Sequence, residues 1–186
     1  MKDTPDAKVK GNKSKMIIRP EKKTDYTAIH KVNELAFGGR AEADLIDDLR
    51  KTDSFIPELS LVAIQNQEVI GHILFSAIVI KSEKYVISAL ALAPMAVHPE
   101  FQNKGVGSKL VFRGLEDCRN LGHKIVVVIG HPGYYPRFGF LPARDRGLKV
   151  LFPVPDEAFM VLELVPGALK SAKGEIIYPP PFQKAS

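Results

Sequence analysis

The residues best suited to chemistry lie in one short stretch, Gln102 to Ser108, which follows a long apolar run. Gly105 and Gly107 let a ligand approach the backbone closely, and Ser108 adds a hydroxyl donor. Apolar residues then recur at helical spacing from Val106 to Leu121, so a helix begins at this loop. The first amides of a helix have no partner within it and carry the positive end of its dipole. The stretch therefore predicts a site for an anion, and a phosphate suits it well.

Two familiar phosphate-binding motifs do not fit this loop. A P-loop ends in Gly-Lys-Ser/Thr, whereas Gly107 is followed by Ser108 and Lys109 in the reverse order, with no glycine five residues earlier. A dinucleotide-binding fingerprint needs a third glycine where this chain has Leu110. A nucleotide-binding protein is therefore a weaker alternative.

The hydrophobic pattern predicts the elements that must position the loop. Three consecutive apolar runs joined by short turns predict an antiparallel meander, and a continuous apolar run after the helix predicts a strand buried on both faces. Because a strand, a helix and a strand follow one another there, the last two strands should be parallel. The predicted strands are 16–20, Leu59 to Ile64, Val69 to Ile80, Tyr85 to Val97, Ile125 to Ile129, a short one near Phe140, and Phe159 to Val165. The predicted helices are Tyr26 to Phe37, one that starts at Ala41, and the helix at the loop.

The elements together predict an α/β (α+β) fold, in which a mixed, mostly antiparallel sheet carries helices on both faces. Residues 16–170 form the predicted domain, after a disordered basic leader at 1–15. Asp53 to Glu58 is predicted as a loop. Everything beyond Pro166, including a tail at 171–186, is also predicted to be loop-like.

Two motifs in this order of elements resemble one family. Gln102-x-x-Gly105-x-Gly107 after a long strand resembles the Arg/Gln-x-x-Gly-x-Gly/Ala signature of the GNAT superfamily of N-acetyltransferases. The run Gly130-His131-Pro132-Gly133-Tyr134-Tyr135-Pro136-Arg137-Phe138-Gly139-Phe140 resembles the aromatic turn of its YhbS-like subgroup. The resemblance covers roughly residues 16–165 and implies a splayed pair of parallel strands.

The resemblance implies acetyl-CoA as cosubstrate. Its pyrophosphate would lie on the loop, and its pantetheine arm would lie along the end of the preceding strand. The residues this assigns to the cosubstrate are Met95, Ala96, Val97, Gln102, Asn103, Lys104, Gly105, Val106, Gly107 and Ser108.

The resemblance also assigns a general acid. Tyr135 aligns with the tyrosine that protonates the leaving thiolate, and Tyr134 is the fallback. A phenol has a pKa near 10, so it is protonated at neutral pH and can donate. Packing of both rings in the core is the alternative.

The sequence identifies the residues of the acceptor site less clearly than those of the cosubstrate site. Arg40 and Glu42 lie between the first two helices, where the family builds a wall of the acceptor site, and His131 could face the cleft. Surface charge, and for His131 a loop histidine bonded to backbone, are the alternatives. No residue is diagnostic as the general base, and His72 fits a core or a face position.

The expected reaction is acetyl transfer from acetyl-CoA to a primary amine by direct attack in a ternary complex. A non-catalytic module that binds or senses acyl-CoA is the alternative. The acceptor is a small-molecule or protein amine, and pairing into a homodimer through the C-terminal part is a further expectation.

Composition narrows the remaining classes. The chain has 186 residues and a net charge of +5, of which five lysines and two aspartates in residues 1–15 contribute +3. That stretch has no aromatic residue to stack on bases, so nucleic acid is an unlikely partner. The sequence contains no apolar run of about 18 residues, so no membrane span is predicted. Cys118 is the only cysteine and falls on the apolar face of the helix, which predicts a buried structural thiol and fits a cytoplasmic location. No metal site is predicted, because no cluster of histidine, cysteine, aspartate or glutamate has the spacing of metal ligands.

Overall fold

The computed structural model of the protein describes residues 15–184, and within them nine strands form one sheet with three α-helices packed against it. The helices are α1 (Tyr26–Phe37), α2 (Ala41–Leu49) and α3 (Val106–Asn120). The strands are β1 (Ile17–Pro20), β2 (Phe55–Gln65), β3 (Glu68–Lys81), β4 (Val86–Val97), β5 (Ile125–Ile129), β6 (Leu141–Pro142), β7 (Leu148–Lys149), β8 (Phe159–Glu163) and β9 (Gly174–Ile177). None of the helices in this part of the chain is long and apolar enough to span a membrane.

The sheet is mixed and mostly antiparallel, which confirms the predicted fold class. Its main order is β1-β2-β3-β4-β5-β8-β6, with β2 to β4 forming the predicted meander and β1 pairing antiparallel with β2. The α3 crossover makes β5 parallel to β4, as the strand–helix–strand order requires. β9 joins the sheet beside β3 and pairs in parallel with β7.

Alternating strand residues place helices on both faces. Leu61 of β2 and Phe75 of β3 pack with Leu110 of α3, whereas their neighbours Val62 and Leu74 pack with α1 and α2. The period of two along each strand produces this division. α3 lies especially close to the sheet at Gly114, where an added Cβ would stand 2.3 Å from the ring of Phe75.

A buried polar network ties β2, β3 and α2 to the segment after β1. The guanidinium of Arg50 donates two hydrogen bonds to the Glu21 carboxylate, at 2.8 and 2.9 Å. The Ser60 hydroxyl donates to the same carboxylate at 2.6 Å and lies 2.9 Å from Nε2 of His72. On its other side, Nδ1 of His72 is 3.5 Å from the side-chain amide nitrogen of Asn33 on α1. The ring is fully buried, so His72 is a core residue.

This network sets the charge of its two titratable members. Burial raises the pKa of Glu21, but hydrogen bonds from His72, Arg50 and Ser60 and the charge of Arg50 outweigh it and lower the pKa to about 2. Burial also lowers the pKa of His72, and the neighbouring Glu21 opposes that effect only in part. Glu21 is therefore ionised and His72 neutral at physiological pH.

Two sequence predictions are wrong. Asp53 to Glu58 is not all loop, since β2 begins at Phe55, which pairs with Ser76 ahead of a register shift; Pro57 and Glu58 obscured this start in the sequence. The region beyond Pro166 is not all loop either, because it contains β9 and a short 3-10 helix at Pro180–Lys184. β9 is only four residues long and begins with a glycine, so it leaves little periodicity to read. Nearly all of the predicted leader at 1–15 lies outside the described residues.

Candidate active site

β4 and β5 separate part-way along their length. Their pairing runs from Leu90 opposite Val126 to Leu92 opposite Val128, while β4 itself continues to Val97. The register between β3 and β4 shifts at the same place, so that β4 carries an extra residue around Pro94. A bulge of this kind bends a strand away from its neighbour, and proline offers no amide to restore the ladder. A gap therefore opens between two parallel strands, as the sequence implied.

A cavity of about 1240 Å³ crosses the sheet through this gap. On the α3 face it is lined by Met95, Val97, the loop at the start of α3, and the two tyrosines of the aromatic turn. On the opposite face it is lined by Ala91, Val127 and the facing ends of α1 and α2. Small-molecule sites usually enclose roughly 300–1,000 Å³, so this volume can hold two ligands that meet in the gap.

The loop before α3 has the geometry of an anion site. Gly105 caps the helix in a left-handed conformation with φ of +82°, and Asn103 is left-handed with φ of +59°. The amides of the first helical turn, Val106 to Ser108, therefore have no intrahelical partners, and these three residues line the cavity. The Gln102 side chain donates to the carbonyl of Val97 at 3.1 Å, which ties the loop to the end of β4.

Lys104 stands apart from the other loop residues. Its ammonium lies 5.4 Å from the ring of Phe101, and the residue does not line the cavity. Its contribution to anion binding would be long-range attraction and not contact.

The two tyrosines of the aromatic turn have different surroundings. The backbone amides of both converge on the carbonyl of His131, and a 3-10 helix at Tyr135–Phe138 follows. The ring of Tyr135 is 7% exposed and packs so closely on Gly130 that a Cβ there would stand 2.4 Å from it. Burial raises the pKa of the Tyr135 hydroxyl above its ordinary value, and the neighbouring Tyr134 raises it more.

Tyr134 reaches the phosphate loop instead. Its hydroxyl lies 2.8 Å from the place that a Cβ on Gly107 would occupy, and Val97 and Met95 flank the same point. The guanidinium of Arg137 lies 4.5 Å from the centre of its ring. Gly107 therefore accommodates Tyr134 as well as a ligand.

Of the three candidate acceptor residues, two line the cavity. Glu42 in the first turn of α2 and His131 after β5 both do so. Arg40 does not, because its side chain is 67% exposed and points towards Asp44, 3.7 Å away. Glu42 is half-buried and forms no ion pair within the described chain.

Sequence reasoning missed one whole wall of the cavity. After β7, an apolar stretch from Leu151 to Val154 lines it, and the segment from Ile176 to Phe182 lines it beside that stretch. Tyr178 and Phe182 pack on the sheet face opposite α3. The only signal in the sequence was apolar residues placed next to prolines, which is equally typical of surface loops.

Cys118 takes no part in this site. It is fully buried on the core-facing side of α3, as predicted, and burial raises the pKa of its thiol to about 12. Within residues 15–184 no cluster of three or more histidine, cysteine, aspartate or glutamate side chains is arranged to hold a metal ion.

Comparison with known proteins agrees with this geometry. The family described as Acetyltransferase (GNAT) domain matches residues 17–143, more than half of the chain. The chain is 43% identical to the uncharacterised N-acetyltransferase YjhQ of Escherichia coli over 73% of this chain and 75% of that protein. It is 34% identical to the uncharacterised N-acetyltransferase YhbS of Escherichia coli over 91% of this chain and 99% of that protein.

Solved structures give the same result. The crystal structure of Escherichia coli YhbS in complex with CoA is 30% identical, with a TM-score of 0.84 over 98% of this chain and 96% of that one. A GNAT family acetyltransferase from Brucella melitensis in complex with acetyl-CoA is also 30% identical, with a TM-score of 0.74 over 91% and 99% of the two chains.

The chain therefore belongs to the GNAT acetyltransferase family and is YhbS-like within it, which confirms the resemblance inferred from the two motifs. It is an acyltransferase that uses acetyl-CoA as its cosubstrate. As such an enzyme it acts on an amine acceptor.

Proposed function

We propose that this enzyme transfers the acetyl group of acetyl-CoA to a primary amine by direct attack in a ternary complex. The observation that carries this proposal is the cavity that crosses the sheet between β4 and β5. A cosubstrate held on the α3 face can extend its thioester through the gap, and an amine can approach from the other face. Both reactants then meet without a covalent enzyme intermediate.

The cosubstrate is assigned to the α3 face. The free amides of Val106 to Ser108 suit the pyrophosphate, since they point outward from a helix start. The pantetheine arm is assigned to residues 95–97 of β4, for which no register partner on β5 exists in the described chain. An amide at this edge would stabilise the oxyanion that develops as the amine attacks.

The bond changes are those of acyl transfer. The amine nitrogen attacks the thioester carbon, a C–N bond forms and the C–S bond breaks. The ammonium first gives one proton to water, since only the neutral nitrogen can attack, and the nitrogen gives a second proton to water once the C–N bond has formed. The departing thiolate takes a proton from the hydroxyl assigned to Tyr135, which regains one from water. Glu42 is assigned to attract the acceptor while it is still an ammonium ion, because it is a half-buried carboxylate that lines the acceptor side.

A thiol-release assay with acetyl-CoA and a panel of primary amines tests the proposal. We expect thiol release only when both substrates are present, and the acetylated amine should appear in the mass spectrum. Double-reciprocal plots of the initial rates should give intersecting lines, as a ternary complex requires. Binding of CoA without turnover of any amine would favour the acyl-CoA module instead. Binding of ATP or NAD at the loop, with no binding of CoA there, would favour a nucleotide site.

We also propose that the enzyme acts in the cytoplasm and that two copies pair. The single, fully buried thiol of Cys118 is compatible with a reducing compartment. Light scattering coupled to gel filtration tests the pairing, which a monomeric mass at micromolar concentration would refute.

A further inference from the structure

The acceptor end of the cavity is walled by large apolar side chains that remain open to solvent. Leu151 is 81% exposed, Phe37 46% and Phe152 44%, and all three line the same cavity. Exposed apolar residues that stand singly are ordinary, but a contiguous patch of them usually marks a binding surface.

Three of the aromatic rings in this wall contact one another in a row. The ring centres of Phe152 and Tyr178 are 5.9 Å apart, those of Tyr178 and Phe182 are 5.0 Å apart, and both pairs are tilted. Such spacing and tilt are favourable for aromatic rings, and a further ring can join the series. The wall is therefore shaped for a flat apolar group.

Charge on this side of the cavity is acidic. The charged residues that line the whole cavity are Glu42, Arg137 and Glu175, and Arg137 belongs to the aromatic turn on the α3 face. Glu175 is in register with Lys81 and Lys149 on its neighbouring strands. Neither Glu42 nor Glu175 forms an ion pair in the described part of the chain, but the two lysines in register with Glu175 offset its charge, so Glu42 is the carboxylate better placed to hold a cation.

We propose that the acceptor is a small primary amine with an aromatic body, an arylalkylamine, whose ring lies on the Phe152 wall and whose amine lies by Glu42. This inference rests on the proposed function and adds the acceptor class to it. A polypeptide acceptor suits the wall poorly, since its backbone N–H and C=O groups would lose hydrogen bonds there. A long acyl chain on the cosubstrate would suit the rings but would leave Glu42 covered and without a partner.

Kinetics with paired amines tests this proposal. With acetyl-CoA held saturating, we expect kcat/KM for 2-phenylethylamine to exceed that for ethanolamine by about 10- to 100-fold, the range that burial of a phenyl group confers. Phe152→Ala should reduce this ratio by about tenfold, because KM should rise far more for the aromatic amine than for ethanolamine. The matched control is Leu121→Ala, since Leu121 is 48% exposed at the far end of α3 and should leave both amines unaffected.

The outcomes separate the two proposals. Equal kcat/KM for both amines, or Phe152→Ala without effect on their ratio, would overturn the aromatic acceptor while leaving acetyl transfer intact. The same holds if a lysine peptide is the better acceptor, or if Phe152→Ala changes selectivity among acyl-CoA chain lengths and not among amines. Failure of every amine, with CoA still bound, would instead overturn the proposed function itself.

Discussion

At the residue scale, the adjacent hydroxyls of Tyr134 and Tyr135 can be assigned separate tasks. Tyr135 is held rigidly by Gly130, Phe138 and Phe140, and its ring lies in the core with one side on the cavity. Tyr134 extends towards Gly107 and the phosphate loop. A proton donor must be held firmly near the sulfur, whereas a residue at the loop influences binding of the cosubstrate.

We therefore expect Tyr135→Phe to lower kcat by about 100-fold or more, the usual effect of removing a general acid, with little change in the Kd for acetyl-CoA. Tyr134→Phe is the matched variant, and it should raise KM for acetyl-CoA while leaving kcat nearly unchanged. Steady-state kinetics and a titration with CoA measure both. If Tyr134→Phe were the variant that lost kcat, the two roles would be exchanged.

Gly107 gives a second test at this scale. A side chain there would meet the Tyr134 hydroxyl at 2.8 Å, and the carboxylate of Gly107→Glu would place negative charge at the start of α3, where the pyrophosphate is assigned. We expect CoA affinity to fall by at least tenfold, that is by about 1.4 kcal/mol, in a calorimetric titration.

Gly39→Glu is the control for charge alone. Nothing lies within 4 Å of an added Cβ at Gly39, and the residue is in the loop between α1 and α2. It should bind CoA as the wild type does. Unchanged affinity in Gly107→Glu would refute the placement of the pyrophosphate.

At the element scale, β9 is the part of the fold that extends the sheet after the predicted domain ends. Ile176 is 4% exposed and packs in the core on the face opposite α3, whereas Ile177 is 37% exposed. We expect Ile176→Ala to lower the free energy of unfolding by about 2–4 kcal/mol, the usual cost of such a cavity. Urea denaturation followed by circular dichroism measures this loss.

Ile177→Ala is the matched variant for this strand. This substitution at the neighbouring residue removes the same atoms from a partly exposed site. It should lower the free energy of unfolding by less than about 1 kcal/mol. If Ile176→Ala unfolded at the same urea concentration as the wild type, packing of Ile176 in the core would not contribute to stability.

The sequence predicted those elements whose signal is local. Gly105 and Gly107 mark a loop and a helix start by residue type alone, and Ile125 to Ile129 reads as a buried strand without reference to its neighbours. β9 could not be read in this way, since its four residues become a strand only through pairing with β3 and β7.

The same distinction divides the two sides of the candidate site. The loop and helix start assigned to the cosubstrate come from a contiguous motif, so their backbone geometry could be predicted. The acceptor wall depends on Phe152 meeting Tyr178 and Phe182 across a gap in sequence, and no local pattern encodes that contact.

At the scale of the whole molecule, the buried network connects elements that are far apart in the sequence. Glu21 after β1, Arg50 after α2 and His72 on β3 share one set of hydrogen bonds, and α1 reaches it through Asn33. Breaking one member leaves the others buried with unmet hydrogen bonds. A change in the protonation of this network should therefore change the free energy of unfolding of the whole domain.

Both titratable members predict loss of stability in acid, in different pH ranges. The pKa of His72 is lowered on folding, so the unfolded chain binds the extra proton first and stability falls as the pH drops below about 6.5. The pKa of Glu21 falls from 4.5 to about 2 on folding, so its contribution is complete above pH 4.5 and is lost between there and pH 2.

We expect His72→Gln to remove most of the first of these stages and to keep the second. A glutamine amide can still donate to Ser60 but does not titrate, so the melting temperature should vary much less between pH 7 and 5.5, although it should be lower than that of the wild type at pH 7 because the fit is imperfect. Burial also lowers the pKa of His123, which accounts for the slope that should remain. His131→Gln replaces an exposed histidine and should keep the wild-type slope. Differential scanning calorimetry across pH 7 to 3 measures all three proteins. Parallel loss of stability in His72→Gln and the wild type between pH 7 and 5.5 would mean that His72 does not carry this dependence.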